Sequence, residues 1–550
     1  MPNTNLTLFT AAEIQEEIDS PPKRTSSFRL EARELPWLPP VSRTGLVTIM
    51  ALAAVLLATS FCRLNHTDLW GHLNFGRWIA EHGQLPKTDP FREIGVAEHF
   101  VNVPWLSQVL GFEWFNLAGF DGLALAHTLL ITLTCGVAMA AVRARGVSAG
   151  WAVAGGIAGY LIALPIIGTL RPQLFGELCF ALTLLGVSQL RTRRHPLFWL
   201  PLAFMAWANL HGSAPLGLCI VAACWLSQIV DIWLETRDFR TVFRDPTVRR
   251  FGFACLMAFV AIGVNPTGWR MLLDSARFAN NTILGAITEW RPLTVNSLSG
   301  GLFFATLVAT GLLLRFSPRR FRLYEVILLL GFGFAALGAL RMLAWWAIVW
   351  PWIVAPHVAA VWEQRKQFAV TPPDVRPTTM RTLIAMAVLF LTLVWSPATH
   401  GFIVGRPRPE ALAVDTHTPL LVAEEIAKRG LTGRIFSPLD WADYIVWKSH
   451  DRVQPLVHSH VHLATTEAWD DYQRLVSGRL EWLEVADADQ LRYLVIRRDG
   501  QSGLEQAVRR SSRCNVLYID QAALLVEISP VVETVSKTAD AASKAPRSEK

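Results

Sequence analysis

The sequence predicts a mainly α-helical, polytopic membrane protein: a helical bundle of about eleven spans followed by a small C-terminal α/β domain. Three observations carry this. Of 550 residues, 52% are hydrophobic and 17% charged, against about 25% charged in soluble domains. The deficit is uneven, because residues 45–395 are dominated by long apolar runs while 406–550 read as ordinary soluble sequence. The basic residues behind the net charge of +7 sit in short clusters between apolar runs. That is a topology signal, not the single basic patch of a nucleic-acid surface, so no nucleic-acid partner is expected.

Residues 1–44 are polar and lack a signal-peptide pattern, so they read as a cytoplasmic tail ahead of a retained anchor. Candidate spans are 45–64, 122–142, 151–170, 173–190, 197–210, 214–234, 251–264, 298–314, 324–340, 342–361 and 383–395. They make a transmembrane domain over 45–397. Every second loop is basic. These loops carry Arg29, Arg33 and Arg43; Arg143 and Arg145; Arg191, Arg193 and Arg194; Arg244, Arg249 and Arg250; Arg319, Arg320 and Arg322; and Arg365 and Lys366. The positive-inside rule then places the N-terminus in the cytoplasm, and an odd number of spans places the C-terminal domain outside.

The first outer loop, 65–120, is long, and loops of that length are usually functional or disordered. It carries Trp70, Trp78, Trp105 and Trp114. Its segments 73–79 and 105–115 have the apolar spacing of amphipathic helices lying in the membrane interface. The domain at 398–530 alternates helix signals (420–429, 442–447, 465–477, 486–491) with strand signals (433–436, 493–497, 516–518, 523–528). Residues 531–550 read as a disordered tail. Six of the seven cysteines lie in or beside apolar runs, where Cys is a small hydrophobe. No disulfide framework or CxxC metal spacing is present.

Polar residues in this setting need a reason. Asp68 follows the first span, in His66-Thr-Asp-Leu-Trp-Gly-His72. A carboxylate at the membrane boundary can be a general base or a metal ligand, or can cap the following helix. Asp89, in Thr88-Asp-Pro90, is a second candidate acid, although Asp-Pro is also turn chemistry. Arg171, Gln173, Glu177, Asn209, His211, Asn265, Glu289, Arg291 and Arg341 all fall at predicted outer helix ends. Arg341 has apolar sequence on both sides. It either snorkels from a tight hairpin or binds an anionic headgroup, for which the forked guanidinium suits phosphate. His458, His460 and His462 alternate, and in a strand would share one face that could bind zinc or line a cleft.

Taken in order, several short patterns resemble the GT-C superfamily of membrane glycosyltransferases, and more closely its bacterial multi-span members. They are Asp68-Leu-Trp-Gly-His72, Gly76-Arg-Trp-Ile79, Pro86, Thr88-Asp-Pro-Phe91, Trp105-Leu-Ser-Gln108, Arg171-Pro-Gln-Leu-Phe175 and Asn209-Leu-His-Gly212. Asn265-Pro-Thr-Gly268, Glu289-Trp290 with Pro292, Arg341 and Trp441-Ala-Asp-Tyr-Ile-Val-Trp447 complete the set. The resemblance implies a sugar donor on polyprenyl phosphate, a lipid or glycan acceptor, and catalysis at the outer face of a bacterial inner membrane. It carries the catalytic role onto Asp68 and, second, Asp89; members of the superfamily sometimes use a divalent cation such as Mg or Mn, for which Asp68 is the candidate ligand here. His72, Arg171, His211, Glu289, Arg291 and Arg341 become the candidate substrate-binding residues. The chain departs from better-known members in having Asp68-Leu69 where they pair two acids, and in lacking a lysine-proline-proline stretch. A transporter or flippase of a lipid-linked precursor, and a non-catalytic membrane scaffold, are the alternatives.

Overall fold

The computed structural model describes residues 38–65, 67–96, 101–365, 378–478 and 481–530. The expected tails up to residue 37 and from residue 531, and His66 of the first motif, lie outside the described residues. All eleven apolar runs fall on helices. With the first-loop helix α2 included, these are α1 (Arg43–Ser60), α2 (Thr67–His82), α3 (Trp105–Arg143), α4 (Ala149–Ala163), α5 (Gln173–Leu190), α6 (Pro196–Leu210) and α7 (Ala214–Thr236). The series continues with α8 (Pro246–Ile262), α9 (Leu298–Phe316), α10 (Leu323–Gly338), α11 (Leu343–Arg365), α12 (Thr379–Trp395) and the short α13 (Pro397–Val404). Among them six are long and apolar enough to cross a membrane, and α12 with α13, bent by 84°, makes a seventh if the pair is one span. Helices α4, α6 and α10 are apolar but only 15, 15 and 16 residues long. At 1.5 Å per residue they reach roughly 24 Å, short of the roughly 30 Å hydrocarbon layer.

Local chemistry sets the ends. Ser42 caps α1 by accepting the Gly45 N–H at 3.0 Å, and Asp245 caps α8, which begins with Pro at its first position. Helix α3 is broken at Gly119 (φ 59°, ψ −151°), a conformation open to glycine and strained for other residues. The break joins the expected interfacial segment at 105–115 and the span at 122–142 into one bent rod. The bundle core is aromatic: Phe180, Phe204, Trp207, Trp345 and Trp346 are all buried. At the N-terminal end of α10, Glu325 is fully buried and held by Arg145, by Tyr324 and, at 3.4 Å, by His357 Nε2. Arg145 thus does more than mark a basic loop.

The C-terminal part is a five-stranded sheet of β1 (Gly433–Phe436), β2 (Val453–Pro455), β3 (Tyr493–Arg497), β4 (Cys514–Ile519) and β5 (Ala523–Ile528), in the order β2-β1-β3-β5-β4. Strands β1, β2 and β3 are parallel and β5 runs antiparallel to β3 and β4. Helices α14 (Leu420–Lys428), α15 (Leu439–Ser449), α16 (Thr466–Ser477), α17 (Trp482–Ala488) and α18 (Ser502–Arg510) complete it. Strand β2 and helix α18 were not expected, and the helix expected at 486–491 ends at Ala488. The histidines are not on a strand. β2 is an edge strand paired with β1, and β1 turns at Pro438 into α15, so the chain beyond Leu456 has no strand to pair with. His458 and His460 lie in the following loop and His462 in a single 3₁₀ turn.

Helix α2 does not lie open in an interface. It packs between α3 and α15, with Trp70, Leu73, Asn74, Phe75, Arg77 and Ile79 all buried. Trp70 meets Tyr444 edge-on at 4.9 Å. Arg77 pairs with Asp451 at 2.5 Å and sits 4.8 Å over the Trp447 ring. One apolar core therefore runs from Leu174 of the bundle through Leu69, Trp70 and Leu73 to Ile435, Tyr444 and Leu525 of the sheet domain. The first loop is the joint between the two.

Candidate active site

Helix α2 places Asp68 and His72 one turn apart, on one face. The glycine between them has a steric reason. A Cβ on Gly71 would stand 2.8 Å from Asp443 Oδ1 and Ser459 Oγ and 2.9 Å from the His460 ring, so only glycine lets the sheet domain close onto the helix. Gly76 serves the other side, where a Cβ would stand 2.1 Å from the Gln108 carbonyl oxygen. That contact brings Gln108 to the site. Its Nε2 meets His72 Nδ1 at 3.2 Å and its Oε1 accepts from Asn102 Nδ2 at 2.7 Å. Burial is the main cause that lowers the His72 pKa to about 4, so the imidazole is neutral at pH 7 and its Nδ1 can accept.

Arg171, just ahead of α5, holds Glu289 with both limbs of its fork, one of them at 2.5 Å. The same Nη1 lies 3.7 Å from Asp68 Oδ2. Arg341, in the turn between α10 and α11, donates from Nη2 to Gln173 Oε1 at 3.0 Å, and its guanidinium lies 4.6 Å over the Trp290 ring. Gln173 in turn donates to Glu177 Oε1 at 3.0 Å. His211 Nδ1 meets Ser213 Oγ at 2.7 Å. Burial, and then the charges of Arg341 and Arg171, lower its pKa to about 3. Two guanidiniums, three carboxyl groups (Asp68, Glu177 and Glu289) and two neutral imidazoles thus share one site, in which an anion would meet the Arg341 guanidinium with the Arg171 charge behind it.

The motifs meet in space as well. Trp105 Nε1 donates to Asn209 Oδ1 at 3.0 Å and Ser107 Oγ to the Leu210 carbonyl at 2.9 Å. Asn265 is local turn chemistry: its Nδ2 donates to the Ile262 and Gly268 carbonyls and its Oδ1 accepts from the Thr267 N–H. Arg291 is exposed and donates to the Ala286 carbonyl at 3.2 Å, while its own carbonyl accepts from Leu340 N at 3.0 Å and so steadies the turn carrying Arg341. Asp89 is buried and accepts from His458 Nε2 at 2.7 Å and from Phe91 N at 3.0 Å. It ties the first loop to the sheet domain and is not beside Arg171. The histidines form a row, with ring centroids 5.6 Å (His458–His460), 5.9 Å (His460–His462) and 4.9 Å (His460–His72) apart. Sequence reading gave Ser213, Trp290 and Asp443 no individual role. Each sits in or next to one of the quoted motifs, which is the signal the sequence offers.

A hard dication such as Mg or Mn takes about six oxygen ligands. Beside Asp68 stands the Arg171 guanidinium, 3.7 Å from Oδ2, a cation already in the place a dication would take at that carboxylate. Among the described residues the metal-ligating side chains gather instead at Asp443, His458 and His460, with one donor atom each, all within 4.8 Å of one another.

Comparison with known proteins agrees at the level of fold. No protein-family model and no curated protein matches the chain. Among solved structures, the oligosaccharyltransferase AglB from Archaeoglobus fulgidus, in complex with an inhibitory peptide and a dolichol-phosphate, superposes with a TM-score of 0.53 at 11% identity. That match covers 84% of this chain and 72% of AglB. The arabinofuranosyltransferase AftD from Mycobacteria gives a TM-score of 0.53 at 15% identity, covering 89% of this chain and 40% of AftD. The chain therefore shares its architecture with membrane enzymes that transfer sugars.

Proposed function

We propose that this chain, which has the GT-C fold of membrane glycosyltransferases, moves a sugar from a polyprenyl-phosphate-linked donor to a lipid or glycan acceptor at the outer face of the membrane. The observation that carries the reading is the meeting of Asp68, Arg171 and Arg341 at the joint between bundle and domain. AglB was solved with a dolichol-phosphate, a lipid carrier of the same chemical class. The alternation of basic loops supports an inner-membrane setting with the N-terminus cytoplasmic and the site outside.

In the mechanism, Asp68 accepts the proton of an acceptor hydroxyl as that oxygen attacks the anomeric carbon. The bond from the anomeric carbon to the phosphate oxygen breaks, and its electron pair leaves with the lipid phosphate. Arg341, held flat by Trp290 and Gln173, and Arg171 neutralise the charge that develops there. His72 and His211, neutral and half-buried, orient sugar hydroxyls. Asp89 positions the loop through His458. No step is assigned to a cation at Asp68.

General-base catalysis is worth about 10²–10⁴-fold. Overproduction of the wild-type chain is expected to deplete one polyprenyl-phosphate sugar from the membrane pool, as read by mass spectrometry of extracted lipids. Asp68→Asn, inserted to the same level, should leave that pool intact. Equal depletion by both removes Asp68 from the chemistry.

A further inference from the structure

The loop after β2 carries a second constellation, which touches no reacting atom of the proposed transfer. His458 is oriented by Asp89, whose carboxylate accepts from Nε2 at 2.7 Å. With Nε2 so engaged, Nδ1 accepts the His460 N–H at 3.2 Å and stands 3.8 Å from Asp443 Oδ1. A carboxylate behind an imidazole is the arrangement that fixes tautomer and ring orientation behind a metal. Asp443 is itself oriented, because Oδ2 accepts the Ser459 N–H at 3.0 Å. His460 completes the group, and its Nε2 is buried with no hydrogen-bond partner. Above them Gly71 presents no side chain. Any Cβ there would fall within 3 Å of Asp443, Ser459 and His460.

We propose that Asp443, His458 and His460 bind one divalent cation of the zinc class, with Asp89 as the supporting carboxylate. One oxygen and two nitrogens suit zinc and not Mg or Mn. Ligand atoms in a tetrahedral zinc site lie roughly 3.3–3.5 Å apart. Binding therefore draws the three donors inward by about an ångström from their 4.8 Å spread and replaces the 3.2 Å contact between His460 N and His458 Nδ1. His462 is excluded from the set because its ring packs on Phe278 at 4.8 Å. The cation is a positioning device. It ties α15, the β2–α16 loop and, through Asp89, the first loop into one body beneath Gly71, one turn from Asp68.

The test uses the full-length chain in detergent, carrying an affinity tag without histidine. The protein is stripped with a chelator, reloaded with zinc alone, desalted, and measured by elemental mass spectrometry. About one zinc per chain is expected in the wild type and in His462→Ala. Asp443→Ala and His460→Ala should each hold less than about a tenth of that. His460→Gln, which keeps the volume, covers the case in which an alanine variant fails to fold. Less than a tenth of an equivalent in the wild type, or full loading in both Asp443→Ala and His460→Gln, overturns the proposal and leaves a metal-free imidazole bridge between Asp89 and Asp443. The measurement needs no turnover, so its failure leaves the transferase reading untouched.

Discussion

Arg171 meets two carboxylates, and its division between them decides what Asp68 can do. Glu289 takes both limbs of the fork, while Asp68 lies 3.7 Å from one of them. In the proposed mechanism a general base must keep an oxygen for its substrate, and Glu289 would serve it by occupying the guanidinium. In Glu289→Gln the full charge of Arg171 turns to Asp68 and quenches it. Sugar-pool depletion should fall roughly tenfold, equivalent to about 1.4 kcal/mol in the barrier, with less loss than in Asp68→Asn. Depletion at the wild-type rate in Glu289→Gln would separate the pair from the chemistry. None of this pairing was readable in the sequence, where Arg171 and Glu289 are 118 residues apart. What was readable was that each is a charge at the end of an apolar run, which needs a partner or a cavity. The zinc-class set was half legible for the same reason. The histidine alternation is visible, but its acidic partner Asp443 comes from α15 and its support Asp89 from the first loop.

At the scale of elements, α2 works through what it lacks. Gly71 and Gly76 bare two sides of the helix, one to the sheet domain and one to α3. Gly76→Ala removes no reacting group, yet its Cβ would stand 2.1 Å from a backbone oxygen that cannot rotate away. Overpacking of this kind costs about 1–3 kcal/mol. It also shifts α2 against Gln108, the partner of His72. Gly76→Ala is expected to lower the melting temperature in detergent and to slow sugar-pool depletion together. Gly136→Ala on α3, whose Cβ meets only Leu52 side-chain atoms at 3.6 Å, should be neutral or stabilising, because alanine is the better helix former. Wild-type behaviour of Gly76→Ala would mean that the α2–α3 contact does not set the site. The helices themselves were legible because a segment in lipid is helical and apolar along its length. The burial of α2 was not, since amphipathic spacing looks the same whether the apolar face meets lipid or a domain. The same limit applied to β2, three residues held by pairing with β1 and not by any propensity of their own.

For the whole molecule, the first loop, the polar helix ends and the sheet domain form one body. They must therefore share one side of the membrane. The alternation of basic loops supports the proposal that this side is the outer one. Alkaline phosphatase fused after Pro530 should be active in a bacterial host, and a fluorescent protein fused there by the general secretion route should be dark. The reverse pattern would put the site in the cytoplasm and exclude transfer at the outer face. Composition made this sidedness legible as a proposal. The number of crossings was less so, because α4, α6 and α10 are as apolar as the others but shorter.

The transferase reading requires that the site hold a lipid-linked sugar, and mass spectrometry of lipids co-purified with the full-length protein tests this most directly. The Asp68→Asn protein is expected to retain a polyprenyl-phosphate sugar at near-stoichiometric amounts, because binding through Arg171 and Arg341 survives while transfer does not. Replacing Arg341 with Gln in that background should empty it. A protein that carries only bulk phospholipid, identical in both variants, would contradict the transferase reading.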